Sequence, residues 1–460
     1  MKQLLSQLIE GKRVAILGFG REGKSTLNHL LEIGGYDSIT ILDKNLSTEY
    51  GVENGLNVDI VSGADYQKDM DKYGVVFKSP GVVLEHVPSE FICNIVSQTE
   101  LFVQRYKNQI IGITGTKGKS TTTTLIYHIL KESGRNVQLA GNVGIPAFEI
   151  MDKISEDTII VYELSSHMLE YMEVSPRIGA LLNIYEEHLD HYGTMDKYVA
   201  AKMNILKYKE STDICFVNEH IETEGKNGIV KLTTGNSTGL SDCNMNTENS
   251  VDISDDVVKF CYDGNIQKYH IPTKDINLLG KHNYFDIGVA YGILKLVGIT
   301  DEEFDNGLKS YAPLPHRLEY IGEVRGVKYY NDSISTICQT AIQAVETIPN
   351  VSTIIIGGMD RGIDYTELEE YLIKSTKLKN IIFMYATGKR IYNELNVNEK
   401  SCMACLHLVE NLQQAVEKAV EVCCEGEACV MSPASASYGD FVNFEERGSE
   451  YTRLVNCYKN

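Results

Sequence analysis

The chain reads as an α/β protein of three domains, an N-terminal Rossmann-like parallel sheet, a central phosphate-loop domain and a C-terminal Rossmann-like domain. Two observations predict this. Short apolar runs that end in glycine or a small polar residue alternate with helical stretches, the pattern of strand–helix–strand units packed as a parallel sheet with covering helices. That alternation starts afresh three times along 460 residues, and about 100–200 residues make a domain.

The first series opens at residues 12–18, KRVAILG, followed by the helical stretch STLNHLLEIGG, a second strand SITILD and a third, VVFKSPG, at 75–81. The second opens at QIIGITGTKGKSTTTTLIYHILKESG and continues through NVQLAGN, TIIVYELSS and ALLNIYEEHLDHY. Residues 211–275 are more polar and turn-rich, with short alternating stretches such as VVKFCY, and are expected to form a small antiparallel excursion. Near YAPLPHRLEY the pattern begins again, with KYYNDS, TIIIGGMD, IIFMYATG and ACVMSPAS as strands. The expected domains are residues 1–107, 108–312 and 313–460.

Composition narrows the function. Apolar residues make up 43%, ample for real cores. With 43 basic and 63 acidic residues the formal charge is −20, which argues against a nucleic-acid or anionic-membrane partner. A nucleotide is not excluded, because a local glycine-rich loop and Mg²⁺ hold phosphates inside an acidic protein. No run of 18 apolar residues occurs, and the first twenty residues lack the features of a signal peptide. The expectation is a cytoplasmic monomer that contacts no membrane. The eleven cysteines then read as reduced thiols. Cys402 and Cys405 form a C-x-x-C with Cys423 and Cys424 following, but adjacent cysteines fit the ligand spacing of a zinc site poorly.

Three motif groups carry chemistry. Gly18-Phe19-Gly20-Arg21-Glu22-Gly23 sits between a strand and a helix, with Asp43 at the end of the next strand. This is the dinucleotide fingerprint: glycines admit a pyrophosphate and the helix N-terminus favours its charge. A tight turn without a ligand is the plain reading, and the motif does not choose between NAD and another diphosphate nucleotide. Gly115-Thr116-Lys117-Gly118-Lys119-Ser120-Thr121 follows the apolar strand IIGIT and opens a helix. Backbone N–H groups in such a loop cradle phosphates, the lysine reaches the terminal phosphates and the hydroxyl ligates Mg²⁺. Ile113 stands where the full pattern has its first glycine, so the loop is a shortened G-x-x-G-K-S. The third group is polar residues at strand ends: Glu163 after TIIVY, His188, Asp190 and His191 after ALLNI, and Lys202 on a following helix. Alone, a His-x-Asp-His cluster is a surface turn; beside a phosphate loop, a carboxylate and an imidazole suit Mg²⁺.

Together these residues resemble the Mur ligase family, and its glutamate-adding members in particular. The match runs through GFGREG, KSPG, GTKGKSTTT, AGNVGIP, ELSSHMLE, NIYEEHLDHYGTMDKYVAAK, LLGKHN, LPHRLE, NDS, GGMDRGIDY and SPASASYGDFVNFEERG, nearly end to end. The resemblance implies ATP-dependent ligation of glutamate to UDP-N-acetylmuramoyl-L-alanine through an acyl phosphate, for peptidoglycan synthesis. It implies that a UDP-sugar is held by Gly18, Gly20, Arg21, Glu22, Asp43, Lys44, Ser79, Pro80, Gly81 and Asn142. ATP is implied on Gly115 to Thr121, with Asn283, Arg317 and Asp332 as further contacts. Two Mg²⁺ ions are implied on Ser120, Glu163, His188 and Lys202, the lysine being N-carboxylated to an anionic ligand. Lys119, Glu163, His188 and Lys202 form the implied catalytic set, and Thr336, Arg361, Ser437 and Phe444 the glutamate site.

The chain departs from the family at three places. Ile334, in NDSIST, stands where glutamate-adding members carry a lysine. Arg361 replaces a second common lysine and can grip a carboxylate bidentately. NDSIST followed by DRG resembles a branch that adds L-glutamate, so D- and L-glutamate both stay open, D-glutamate first. Asp286, three residues after Asn283, stands where an asparagine often meets adenine. A folylpolyglutamate-synthase-like ligase shares the later domains but lacks the first hundred residues. An NAD-dependent oxidoreductase rests on the Gly18 loop alone, and a non-catalytic nucleotide-binding regulator leaves the intact Lys119, Glu163, His188 and Lys202 set without a use.

Overall fold

The computed structural model of the chain describes residues 1–47, 55, 57–86, 88–223, 225, 227–235, 249–278, 280–397 and 402–459, except the side chains of 190, 281, 282, 396 and 397. The described residues form two compact units, Met1–Lys274 with Tyr284–Ser310, and Asp275–Asn283 with Tyr311–Asn460.

The first unit holds two sheets. In one, β1 (Arg13–Leu17), β2 (Ser38–Asp43), β3 (Asp59–Ser62), β4 (Val75–Lys78) and β5 (Asn94–Val96) run parallel in the order β3-β2-β1-β4-β5. Four of the five β1 residues are buried because helices cover both faces, which is why the strand reads as an unbroken apolar run. Strand order reverses on either side of β1, so the crevice between the ends of β1 and β4 is the switch point where ligands bind in such sheets.

The other sheet comprises β6 (Ile110–Thr114), β7 (Val137–Gly141), β8 (Ile159–Glu163), β9 (Ile178–Leu181), β10 (Ile214–Asn218), β11 (Ile229–Thr234), β12 (Ser250–Ser254), β13 (Val257–Tyr262) and β14 (Asn265–His270). Their order is β14-β13-β12-β11-β10-β9-β6-β8-β7. Here the antiparallel expectation for 211–275 needs correction. β10, β11 and β12 pair in parallel and extend the sheet, whereas the expected antiparallel pairing holds from β12 through β13, which carries VVKFCY, to β14. The misreading came from short strands whose polar edge positions imitate alternation. β6 and β8 lie side by side at the buried middle, flanked by β9 and β7, and one apolar core runs beneath both sheets from Leu5 to Ile229.

The second unit carries β15 (Glu319–Val324), β16 (Val327–Asn331), β17 (Val351–Ile356), β18 (Asn380–Phe383), β19 (Cys405–Leu408) and β20 (Ala428–Met431), ordered β15-β16-β20-β17-β18-β19. β15 and β16 form a hairpin; the other neighbours are parallel. Every residue of β17 is buried, with an apolar cluster on each sheet face. Among the described residues no helix is long and apolar enough to cross a membrane.

Candidate functional site

The Gly18 loop is shaped by contacts that exclude side chains. Gly18 has φ +85°, and a Cβ there would fall 2.5 Å from Val82. A Cβ on Gly23 would fall 2.2 Å from the Gly18 carbonyl oxygen, so the helix Arg21–Ile33 can start only if this position is bare. Gly20 faces open space, the surface a diphosphate would approach. Asp43 braces the loop: its Oδ2 accepts from Phe19 N–H at 2.8 Å and its Oδ1 from Asn45 N–H at 2.9 Å. Ser79 Oγ donates to the Gly18 carbonyl at 2.7 Å, while Pro80 and Gly81 continue along the rim and Lys44 is exposed. Arg21 reaches out of the loop to the carbonyls of Gly141 and Asn142, at 3.2 and 3.1 Å. Burial raises the Glu22 carboxyl to about 7 against the pull of Arg21 and Lys78, and its Oε2 is buried without a hydrogen-bond partner.

The phosphate loop hangs between β6 and the helix Lys119–Glu132. Gly118 caps that helix at φ +82°, and a Cβ there would meet Asp286 Oδ1 at 2.4 Å. Asp286 also accepts from Thr122 Oγ1 at 3.2 Å and so lies under the loop. Asn183, just past β9, braces it from the side: its Oδ1 accepts from Thr116 N–H at 3.0 Å and Lys117 N–H at 2.8 Å, and its Nδ2 donates to Lys117 O at 3.0 Å. Gly115, Thr116, Thr121 and the side chain of Lys202 are buried, while Ser120 opens toward solvent.

Two lysines converge here. Lys119 Nζ donates to Gly115 O at 2.9 Å, and Lys202 Nζ donates to the same oxygen at 2.8 Å. Lys202 is 1% exposed, and burial, reinforced by the Lys119 charge, pushes its amine down to about 7 against Glu187 and Glu163. Glu163, at the end of β8, is fully buried. Its Oε1 accepts from Asn142 Nδ2 at 2.8 Å, and its Oε2 has no hydrogen-bond partner. Such an orphaned buried carboxylate oxygen, near a lysine ammonium and a phosphate loop, fits a divalent cation. His188 sits in left-handed backbone at φ +58°, with Nε2 3.7 Å from Glu187, whose other oxygen meets Lys117 at 3.2 Å. Among the described residues no three His, Cys, Asp or Glu side chains form a protein cage for a metal. Mg²⁺ bound through one or two carboxylates plus substrate phosphates needs none.

In the second unit the remaining predicted residues gather at the carboxyl ends of three adjacent strands. Asp332 and Thr336 follow β16, Arg361 follows β17 and Ser437 follows β20; Phe444 opens the helix Phe444–Asn456. Met359 N–H donates to Ala436 O at 2.9 Å, which joins the loops carrying Arg361 and Ser437. Asp332 Oδ1 accepts from Leu318 N–H at 3.1 Å and its Oδ2 from Ser432 Oγ at 2.7 Å and from Ser335. Burial raises its carboxyl to about 6 despite these donors. Arg317 stands between two left-handed residues, His316 and Leu318, with a buried Nε that lacks a partner. Asn283 belongs to this unit as the last residue of its Asp275–Asn283 segment. Arg361 is exposed and Ile334 half-buried.

Several residues here went unread in the sequence. Asn183 lies two residues past the end of β9, the strand beside β6, a position where a polar residue signals a site. Arg447 is fully buried and donates to Ser333 Oγ (3.0 Å), Ser333 O (2.8 Å), Ser435 O (3.1 Å) and Ala436 O (3.3 Å), sewing the β16 and β20 loops together. No local pattern marks it. The cysteines flagged earlier bond elsewhere: Cys402 Sγ donates to Leu372 O, Cys423 Sγ to Thr353, and Cys405 and Cys424 are exposed.

Fold and site define an α/β protein with a glycine-rich fingerprint loop on one sheet and a G-x-x-G-K-S loop on the next. Comparison with known proteins agrees. Residues 113–294 match the Mur ligase middle domain. A UDP-N-acetylmuramoylalanine–D-glutamate ligase of Clostridium botulinum is 31% identical over 97% of both chains, and one of Clostridium kluyveri is 31% identical over 98% of both. Among solved structures, the UDP-N-acetylmuramate–alanine ligase of Thermotoga maritima superposes at TM-score 0.55 with 16% identity, covering 97% of this chain and 99% of that one. The MurF ligase of Thermotoga maritima, solved with ADP, superposes at TM-score 0.54 with 15% identity, covering 98% and 97%. The chain belongs to the Mur ligase family, alongside its D-glutamate-adding members.

Proposed function

We propose that the chain is an ATP-dependent ligase that joins D-glutamate to UDP-N-acetylmuramoyl-L-alanine in peptidoglycan synthesis. The observation that carries this is the convergence of Lys119 and Lys202 on one carbonyl of the phosphate loop, in the same unit as the Gly18 loop. The Gly18 loop, Ser79 to Gly81 and Asn142 hold the UDP-sugar, and Arg21 sets the Asn142 loop against it. The phosphate loop holds ATP, and Lys119 leaves its carbonyl partners to meet the terminal phosphates.

A carboxylate is a poor electrophile, so amide formation needs activation. An oxygen of the alanyl carboxylate attacks the γ-phosphorus of ATP; the P–O bond to ADP breaks, giving an acyl phosphate. The glutamate amine then attacks the acyl carbon, loses a proton, and inorganic phosphate leaves. Lys119 stabilises charge on the transferring group, and the rest is positioning. Ser120, Glu163, His188 and an N-carboxylated Lys202 would hold two Mg²⁺ ions, which supply charge neutralisation when bound. Burial lowers the Lys202 amine to about 7, which makes the neutral form, the one able to take up CO₂, accessible near neutral pH. Arg317, Asp332 and Asn283 are assigned to the nucleotide, and Thr336, Arg361, Ser437 and Phe444 to glutamate. The three working domains are 1–107, 108–312 and 313–460.

Ile334 and Arg361 favour a second reading, in which the amino acid is L-glutamate. Phosphate release with UDP-N-acetylmuramoyl-L-alanine and ATP tests both, comparing D- and L-glutamate with meso-diaminopimelate and lysine. Release with D-glutamate above the other three supports the first reading. Release with none of them overturns both.

A further inference from the structure

Glu170 lies outside every residue set above, yet it joins the two sheets of the first unit. It follows the one-turn helix Ser166–Leu169, seven residues beyond Glu163. Its backbone is fixed: Asn204 Nδ2, from the helix that bears Lys202, donates to Leu169 O at 2.9 Å and Glu170 O at 3.1 Å. Its carboxylate Oε2 faces His191 Nε2 at 3.1 Å and Lys78 Nζ at 3.8 Å. All three side chains are largely buried, with exposures of 15%, 8% and 5% for Glu170, His191 and Lys78. Lys78 ends β4, directly before the Ser79 that bonds the Gly18 loop.

His191 lies in the one-turn helix Leu189–Tyr192, and His188 is the residue that caps it. His188 adopts a left-handed conformation that a side-chain-bearing residue holds only when its surroundings impose it. Those surroundings are aromatic. The His167 ring meets His191 edge-on at 4.3 Å and His188 at 4.8 Å, and stacks on Tyr192 at 5.6 Å. Tyr192 packs on Tyr198, whose hydroxyl bonds Thr116 of the phosphate loop at 3.0 Å. Beside this ring packing, the His191–Glu170 bond is a polar tie between this turn and the end of the Ser166–Leu169 helix, and Lys78 supplies the carboxylate with its counter-charge.

We propose that Glu170 is a positioning residue: through His191 it holds the turn that presents His188 to the phosphate-loop cation, with Lys78 fixing the carboxylate from the neighbouring sheet. This rests on the reading of His188 as a metal ligand. Outer partners of ligands typically change metal affinity by about 10–100-fold when removed.

The test is Mn²⁺ uptake by the full chain with ADP present, followed by electron paramagnetic resonance, with circular dichroism as a check of folding. Glu170→Ala and His191→Ala should each weaken Mn²⁺ capture roughly tenfold. The double variant should lose no more than either single one, because both changes break the same tie. Glu170→Gln, which keeps an acceptor for His191, should recover most of the affinity. Wild-type affinity in a folded Glu170→Ala protein, or additive losses in the double variant, would overturn the proposal. Should Glu170→Ala not fold, Glu170→Gln and His191→Ala decide it by the same measure: equal losses in both, or none in His191→Ala, refute it. A wild type that takes up no Mn²⁺ with ADP sinks the metal reading itself, a different result from a wild type that binds and variants that match it.

Discussion

Replacing Arg447 by methionine puts a number on the tie between the loops that follow β16 and β20. The guanidinium makes four hydrogen bonds to Ser333 Oγ, Ser333 O, Ser435 O and Ala436 O. At ~1.5 kcal/mol for each bond from a charged donor, removing them costs about 6 kcal/mol. Methionine also relieves an expense, because burial pushes the Arg447 guanidinium down from 12.5 to about 10. At ~1.4 kcal/mol per pH unit that relief is about 3 kcal/mol, which leaves a net loss of about 3 kcal/mol. A chain of two compact units need not unfold in one step, so a single melting curve does not isolate these loops. Hydrogen exchange in peptides covering β17 and β20 isolates the relevant opening. Arg447→Met should speed their exchange about a hundredfold, as ~1.4 kcal/mol is tenfold. Arg447→Lys should fall between, since one ammonium cannot reach four acceptors. Exchange within about fivefold of wild type for Arg447→Met would refute the claim that these bonds outweigh the burial of charge.

Three further outcomes are expected. Lys119→Ala should abolish ligation and nucleotide capture while UDP-sugar binding, measured by calorimetry, stays within about twofold, because the ligands use different sheets. Substantial residual product would contradict the site assignment. Lys202→Ala should lose most activity, with partial return on adding formate or acetate as a substitute carboxylate; full activity without any addition would count against a carboxylated lysine. The Asp332 carboxyl sits at about 6 when folded and near 3.8 when unfolded. The folded state therefore binds this proton more tightly, so its contribution to stability is greatest below pH 4 and is lost as pH rises through 6. Asp332→Asn should flatten that stretch of the stability–pH curve, read by exchange in β16; an unchanged slope would show that another group titrates there.

Both glycine-rich loops could be read from consecutive letters because their geometry is local. A diphosphate cradle needs bare positions such as Gly18 and Gly23, where any Cβ would strike Val82 or a loop carbonyl. A phosphate loop needs glycine at the left-handed Gly118 followed at once by Lys119. The alternation of apolar runs and helical stretches likewise announced parallel sheets, since strands buried on both faces lose their polar positions.

Other features depend on strand order and burial, which adjacent letters do not carry. Asn183 braces the phosphate loop because β9 lies beside β6, although the two are separated by some sixty residues. Lys78, Glu170 and His191 meet because the end of one sheet packs on a turn of the next. Arg447 is buried because loops from β16 and β20 close around it. In the stretch 211–275 the antiparallel expectation holds for β12 to β14 and fails for β10 to β12 for the same reason: whether a short strand pairs in parallel or antiparallel depends on the neighbour it finds. Short-range sterics write the loops into the sequence, while burial, which turns a polar side chain into a brace or an orphan, comes into being only when distant segments pack.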